Sequence, residues 1–424
     1  MEKRNRQKWI YPVVILAVAL AVRLFLLFVI PSHSLQHDES DYEDIALSLL
    51  QGKGFVTAEG VPTALRPPLY PAFLALIHLV SGHSHAAVQA IQGVLLALTC
   101  VLVYLLGTEI YDKRVGLLGG LTAAFYPMLI YPALEFLAEA LFIFLFTLAL
   151  FAVFRSRDTD RWSVGAGLFL ALAALTKPLA LFSFPFFLVW IGRQGHETRW
   201  KTVSLFMLTF IFCLLPWTLR NYAVFGAFIP VTTGGGIAFY NSYILAPQGL
   251  GFNSLEHLPP EFFSMKSEVA QSSYLFRQAL VYIVENPLKA ACLTLFKALF
   301  FFYPFDGYWY PISLGSKYNF FWGLVFCFSL CGLFHTGDRK GKELLLLVLL
   351  SILLGSVIFT GIPRYRLVLE PIFILLAAGG FLWMRERWHS LSYAVIFFNI
   401  LFWMLFRFFD PVALFKWSTW SNFF

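Results

Sequence analysis

The chain is 424 residues long, with 59% hydrophobic and only 13% charged residues, and a mean hydropathy of +0.72. A water-soluble chain carries about a quarter charged residues, so a soluble globule is excluded and a membrane protein is expected. The net charge of +7 comes with no Lys/Arg run long enough for a nucleic-acid arm; it is an orientation signal, and the partner is the lipid bilayer rather than nucleic acid.

An apolar run of about 20 residues crosses a bilayer as a helix. Such runs fall near residues 9–31, 86–106, 115–133, 135–154, 162–177, 179–192, 202–218, 319–334, 343–361, 368–384 and 390–407, which makes about eleven crossings by hydropathy. The first follows MEKRNRQK, with four basic residues and one acid and no clear small-residue cleavage site. It reads as a retained anchor with a cytoplasmic N-terminus. Alternation then puts on the inner side the short connections bearing Lys113-Arg114, Arg155/Arg157/Arg161, Arg193/Arg199/Lys201, Arg339/Lys340/Lys342 and Arg385/Arg387, as the positive-inside rule asks. Two more apolar stretches would break the alternation. Residues 69–80 are too short to span, and residues 287–303 carry Lys289 and Lys297, so both are expected as helices on the outer membrane surface, with the lysines snorkelling to headgroups. The outer side then holds two long segments, 32–85 and 219–318. Aromatic residues after 400 read as an interfacial anchor. The five cysteines at 100, 213, 292, 327 and 331 read as small buried hydrophobes rather than a disulfide framework.

The first outer segment gathers Asp38, Glu39, Asp41, Glu43, Asp44 and Glu59, a quarter of the chain's 24 acids. Tyr42, Ile45, Ala46, Leu49 and Leu50 are spaced as the apolar stripe of a short amphipathic helix. Ser40 and Glu43 have capping-box spacing and Gly52 can close the helix. Asp38 and Glu39 therefore sit just before a helix N-terminus, where the dipole favours an ionised carboxylate. Acids of a first helical turn, Asp41, Glu43 and Asp44, read as ordinary surface groups.

An Arg23-containing first span, then Asp38-Glu39-x-x-Tyr42-x-x-x-Ala46, then Arg66-Pro-Pro-Leu-Tyr-Pro, resembles the lipid-linked-sugar glycosyltransferases of the GT-C superfamily. The similarity is to the bacterial branch related to protein O-mannosyltransferases and to the lipid A aminoarabinose transferase (glycosyltransferase families 39 and 83). It continues through Glu139, Lys177-Pro178, Pro216-Trp217-Thr218-Leu219-Arg220-Asn221-Tyr222, the Gly234–Gly236 run and Arg364-Tyr365-Arg366 with Pro371. It covers about the first 240 residues and those near 361–371, and leaves 245–318 without assignment beyond Asn286-Pro287 and Lys297. The resemblance implies an all-α, polytopic GT-C fold in which residues 1–303 form the catalytic membrane module and residues 304–424 supply C-terminal transmembrane helices. It also implies a bacterial inner-membrane enzyme acting at the periplasmic face on a polyprenyl-phosphate-linked sugar donor and a lipid, glycan or protein acceptor.

Such a reaction needs little acid catalysis, because a phosphate leaves unprotonated once its charge is neutralised. One carboxylate base and a set of cations suffice, unlike the two carboxyl groups of glycoside hydrolysis. The resemblance assigns the base to Asp38; spacing alone does not separate it from Glu39. Arg66, Lys177, Arg220, Arg364 and Arg366 are the candidates for holding the donor phosphate. Tyr42, Glu135, Glu139 and Tyr365 are expected to touch the acceptor or to pair structurally. No cofactor is certain. His33, His37, His83 and His85 beside Asp38 and Glu39 could hold a divalent metal. Gly234–Gly236 lacks the Lys-Ser/Thr of a nucleotide loop and reads as a flexible segment. The competing functions are a membrane transporter or flippase, which would place its charges near the bilayer midplane, and a surface-polysaccharide ligase or polymerase, which would centre its chemistry on a late outer loop.

Overall fold

A computed structural model describes residues 2–30, 38–194, 199–245, 257–304, 318–359 and 361–405; His33, His37 and the aromatic tail beyond 405 lie outside these. Among the described residues the chain is all-α, with a single isolated β-bridge between Val56 and Pro62. In order the helices are α1 (Glu2–Val29), α2 (Asp38–Leu50), α3 (Leu69–Ser81), α4 (His85–Ile110), α5 (Lys113–Phe125), α6 (Pro127–Ile130), α7 (Glu139–Arg155), α8 (Arg161–Thr176), α9 (Ser183–Gly192), α10 (Arg199–Phe225), α11 (Gly235–Tyr240), α12 (Pro260–Ser264), α13 (Glu268–Glu285), α14 (Pro287–Phe301), α15 (Phe320–Gly332), α16 (Arg339–Phe359), α17 (Glu370–Arg387) and α18 (His389–Leu405).

Among the described residues, helices account for most of each of the eleven apolar runs. Five helices are long and apolar enough to cross a bilayer unaided: α1 from Trp9, α4, α10 from Trp200, α16, and α17 with the 3-10 turn Pro363–Leu369 before it. Shorter apolar helices take up other runs, and two bent pairs, α5 with the stretch Pro127–Ala133 (69°) and α13 with α14 (110°), are long and apolar enough only when taken together. The chain is a multi-pass membrane protein. The bend after α5 has a local cause. Tyr126, preceding Pro127, is held extended at φ −77°, ψ 116°, because a residue before proline is driven out of the helical region. The break frees carbonyls inside the bundle, and Arg23 of α1 answers them. Its guanidinium, only 1% exposed, donates to the carbonyls of Ala124 (3.4 Å), Leu129 (3.0 Å) and Ala19 (3.1 Å). With no water to do so, a broken helix at that depth needs such a partner.

The core is built where α4 packs on α1, α5 and α7, α7 on α8, α8 on α10, and α15 on α17. It is dominated by Leu, Phe and Ala, with Trp190 and Trp322 fully buried.

The first outer segment departs from expectation at its helix start. Asp38 is already the first helical residue of α2, so Ser40 lies inside the helix and Glu43 is turned to other partners. Gly52 closes α2 at φ +72° as expected. The two expected surface helices are α3 and α14. Lys289 is exposed, but Lys297 is not a snorkelling residue. It is 4% exposed, donates to Ser242 Oγ at 2.7 Å and lies 3.6 Å from the Tyr243 ring centroid. The glycine run is also firmer than expected. Gly235 and Gly236 open α11, and a Cβ on Gly236 would fall 2.1 Å from the Ser272 carbonyl oxygen of α13, so at Gly236 the contact is one only glycine permits.

Candidate active site

Three prolines set the geometry of the site. Pro67 follows Arg66, Pro178 follows Lys177, and Pro363 precedes Arg364. Lys177 is extended at φ −144°, ψ 125°, which stops α8 one residue earlier and swings the lysine off the helix axis. Pro363 opens the short 3-10 turn that carries Arg364, its missing N–H costing nothing at that position.

These three cations meet two carboxylates. Asp38 Oδ1 accepts from Arg66 at 2.7 Å and Asp38 Oδ2 from Arg364 at 3.1 Å. Arg66 also holds Asp41 at 2.7 Å. Arg364 donates through Nε to Glu139 Oε1, which also takes Lys177 Nζ at 2.6 Å. One chain of charges thus runs Asp41, Arg66, Asp38, Arg364, Glu139, Lys177. Lys177 lies 5.5 Å from the Tyr365 ring centroid, and Arg66 lies 5.4 Å from that of Tyr42, whose ring stands edge-on to Tyr70. Asp38, Tyr42, Arg66, Glu139, Lys177, Arg364 and Tyr365 are therefore brought together, from five separate stretches of sequence.

Burial by itself pushes the Asp38 carboxyl up, but Arg66 and Arg364, helped by Lys177, pull further down than burial and Glu139 push, and the group sits below the ordinary carboxylate range. Burial pushes the Tyr42 hydroxyl up, so that ring stays neutral beside the charges. Glu139 Oε2 is buried without a hydrogen-bond partner among the described residues. A metal is poorly suited to these acids, because their oxygens already face guanidinium and ammonium groups.

The remaining sequence candidates lie elsewhere. Glu39 is buried, and its Oε1 accepts from the Phe136 backbone N–H at 2.9 Å. Glu135 is hydrogen-bonded to Tyr131. Arg220 donates to the carbonyls of Thr63 (2.8 Å) and Phe55 (2.9 Å) and stacks near Trp217, which pins the first outer segment to the end of α10. Arg366 is 1% exposed, donates to Glu370 at 3.1 Å and to the Phe301 carbonyl at 2.8 Å, and lies over Trp322.

Sequence reasoning missed Glu268 and Glu370, and read as an ordinary surface group Glu43, which is buried. Glu268 accepts from Thr63 Oγ1 (2.9 Å), the Ala64 N–H (3.0 Å) and Thr233 Oγ1, joining α13 to the segment that leads into Arg66. A cleft of about 360 Å³ opens beside it, lined by Thr232, Thr233, Ser272, Phe276, Arg277 and Phe359 among others. Glu370 takes Arg366 and the Tyr126 hydroxyl (2.9 Å); its spacing four residues after Arg366 was the available signal.

The all-α multi-pass chain shares its fold with solved GT-C membrane enzymes. The Archaeoglobus fulgidus oligosaccharyltransferase AglB, in complex with an inhibitory peptide and a dolichol-phosphate, superposes with a TM-score of 0.55 at 13% identity, over 98% of this chain and 56% of that one. Its apo form gives 0.57, 13%, 98% and 56%. The aminoarabinose transferase ArnT from Cupriavidus metallidurans, bound to undecaprenyl phosphate, gives 0.42 at 16% identity over 87% and 77%. The chain spans a little over half the length of the archaeal enzyme. Residues 65–219 match the family model described as dolichyl-phosphate-mannose-protein mannosyltransferase, a stretch containing Arg66, Glu139 and Lys177. No curated protein matches the chain. The resemblance to the GT-C superfamily, read from the sequence, is upheld by the family model and the fold together.

Proposed function

We propose that the chain is an inverting glycosyltransferase that moves a sugar from a polyprenyl-phosphate donor to an acceptor at the face carrying Asp38, which we take to be the periplasmic face of a bacterial inner membrane. The observation that supports it most is the placement of Asp38 between Arg66 and Arg364, with Lys177 one link further along. Three cations around the ionised Asp38, with Asp41 and Glu139 as their other partners, make a partly desolvated pocket of the kind a lipid-phosphate leaving group calls for. The dolichol-phosphate in the archaeal structure fits the same donor chemistry.

In this reading the donor phosphate enters with at least one negative charge and competes with Asp38 for Arg66 and Arg364. Guanidinium holds phosphate in a bidentate fork. The exchange frees the Asp38 carboxylate from two cations, which makes it a better base when donor is bound. The acceptor hydroxyl or amine then attacks the anomeric carbon from the side opposite the phosphate. A new bond to that carbon forms, the carbon–phosphate-oxygen bond breaks with its electron pair going to the phosphate, and the acceptor proton passes to Asp38. Lys177, steadied by Glu139, supplies a further positive charge to the leaving phosphate. Arg220 and Arg366, with their donors committed to backbone carbonyls and Glu370, position the walls of the site. The cleft next to Glu268 is the proposed acceptor entrance. Charges grouped at helix ends give the transporter alternative no support.

The test is transfer of label from a radiolabelled polyprenyl-phosphate sugar pool to endogenous acceptors, in membranes containing wild type or Asp38→Asn at matched abundance. The asparagine keeps size and hydrogen bonding but cannot take the proton. Transfer is expected to fall by about 10²- to 10⁴-fold, the usual worth of a general base. Equal transfer by the two proteins sinks Asp38 as the base.

A further inference from the structure

Three histidines converge on Glu43, a carboxylate that the transfer chemistry leaves unused. Glu43 Oε2 lies 3.1 Å from His78 Nε2, and Oε1 lies 2.5 Å from His83 Nε2 and 3.8 Å from His85 Nε2. They come from three places: Glu43 from the middle of α2, His78 from the last turn of α3, and His83 and His85 from the turn into α4. The ligand atoms of Glu43, His78 and His83 all fall within 4.8 Å of one another. Donors of a tetrahedral zinc at about 2.0–2.1 Å stand about 3.3 Å apart, so side-chain movements of up to about 1.5 Å would bring these three into one shell, with a fourth position left for His85 or water.

Two features of the backbone and burial favour a ligand over simple hydrogen bonding. Among the described residues His83 is the one non-glycine with positive φ (66°). It follows Gly82, also at φ 66°, and both N–H groups return to the His78 carbonyl, at 3.0 and 3.3 Å. The chain thus holds a histidine in an unfavourable conformation, and that turn brings it against His78 and Glu43. The His78 side chain is fully buried, and its Nδ1 has no hydrogen-bond partner among the described residues. Nε2 is therefore the ring nitrogen of His78 that meets a partner, Glu43, and the one that would ligate an ion. The side chains of His83 and His85 are 49% and 41% exposed, which leaves a path for an ion to enter from solvent.

We propose that Glu43, His78 and His83, with His85 at the rim, form a binding site for one divalent transition metal of the zinc type. Imidazole nitrogen with one carboxylate is a donor set for zinc, cobalt or nickel rather than for calcium or magnesium. The ion would cross-link α2, which begins with Asp38, to the end of α3 and the start of α4. It is a positioning site, separate from the chain of charges at Asp38.

The test uses the full-length, tag-free protein in detergent, stripped with a chelator and titrated with Co²⁺. One equivalent is expected to bind with the visible absorption of a four-coordinate site and to be displaced by one equivalent of Zn²⁺. The His83→Ala variant, altered at a half-exposed turn, is expected to lose more affinity than the roughly 10- to 100-fold that removal of an outer partner costs, with Glu43→Gln behaving alike. Binding of less than one equivalent to folded wild type overturns the proposal, as does equal binding by wild type and His83→Ala. Should the variants not fold, elemental analysis of wild type after zinc loading and dialysis decides it: one zinc per chain supports the site, none refutes it. Metal content is read without any sugar transfer, so this outcome stands apart from that of the Asp38→Asn experiment.

Discussion

Arg66 is the residue whose removal separates two effects. It lowers the Asp38 carboxyl and, in the proposed reaction, holds the donor phosphate. With Arg66→Gln the opposing influence of burial remains while one lowering cation is gone, so the Asp38 carboxyl moves up. The wild-type carboxyl lies below its unfolded value of about 3.9. Its contribution to stability is therefore fully present above that value and is lost as pH falls through the lower folded value. Activity should follow the same sign: the acid limb of kcat/KM for wild type lies below the ordinary carboxylate range, and that of Arg66→Gln shifts to higher pH. At neutral pH the variant should also transfer about 10- to 100-fold less, the worth of one charge-assisted hydrogen bond of about 1.5–3 kcal/mol. A pH profile measured on both proteins checks it, and an unmoved acid limb would detach Arg66 from the base. At this scale Asp38 and Glu139 were picked out by the GT-C resemblance, while Arg66, Lys177 and Arg364 were legible in the sequence as candidates because charges at the ends of apolar runs are costly without partners. Arg220 and Arg366 looked identical by that argument. What distinguishes them is the carbonyls of Phe55, Thr63 and Phe301, and backbone acceptors supplied by distant loops leave no mark on side-chain sequence.

At the scale of elements the helices themselves follow from hydropathy, and the surprises come where a helix is interrupted. Arg23 is the clearest case. In the sequence it is a lone charge in the first span; in the fold it satisfies the carbonyls of Ala124 and Leu129 that the Pro127 break leaves open. Each carbonyl stripped of its donor in an apolar interior costs about 1–3 kcal/mol. Arg23→Met keeps length and apolar bulk, so it should destabilise the protein by about 3 kcal/mol or more, read as a lower unfolding temperature in detergent. Replacing Pro127 by Ala in the same background should recover part of the loss, because α5 could then run on and close its own hydrogen bonds. No recovery would place the cost of Arg23 elsewhere. Lys297 teaches the same lesson from the other side: its hydroxyl partner, Ser242, sits 55 positions away in the short π-helical turn Asn241–Leu245, beyond any pattern within α14.

Across the whole molecule the described ion pairs, the buried Arg366–Glu370 pair apart, sort into two groups that do not mix. One is the chain of charges around Asp38 with the Glu43 cluster. The other joins Arg155 to Glu109 (2.8 Å), Arg157 to Asp338, Arg193 to Glu343 (3.0 Å) and Lys201 to Asp160 (2.8 Å). Every member of the second group comes from a connection that alternation places on the inner side, and every member of the first from the outer segments or outer helix ends. A single misassigned span would have carried a loop to the wrong group. This grouping agrees with the order of sides expected from hydropathy and basic loops, while which acid meets which cation was not readable there. The sidedness is directly measurable. Glu59 and Thr159 are both exposed and lie in segments expected on opposite sides of the membrane. In intact cells Glu59→Cys should react with a membrane-impermeant maleimide and Thr159→Cys should not, and in inside-out vesicles the order should reverse. The five native cysteines, buried or half-buried, set the background in the wild-type control. Labelling of Thr159→Cys from outside would turn the molecule over and put Asp38 on the cytoplasmic side, where a polyprenyl-phosphate donor would have to be met before it is flipped. Labelling of both positions from one side would instead break the alternation on which the face of the active site rests.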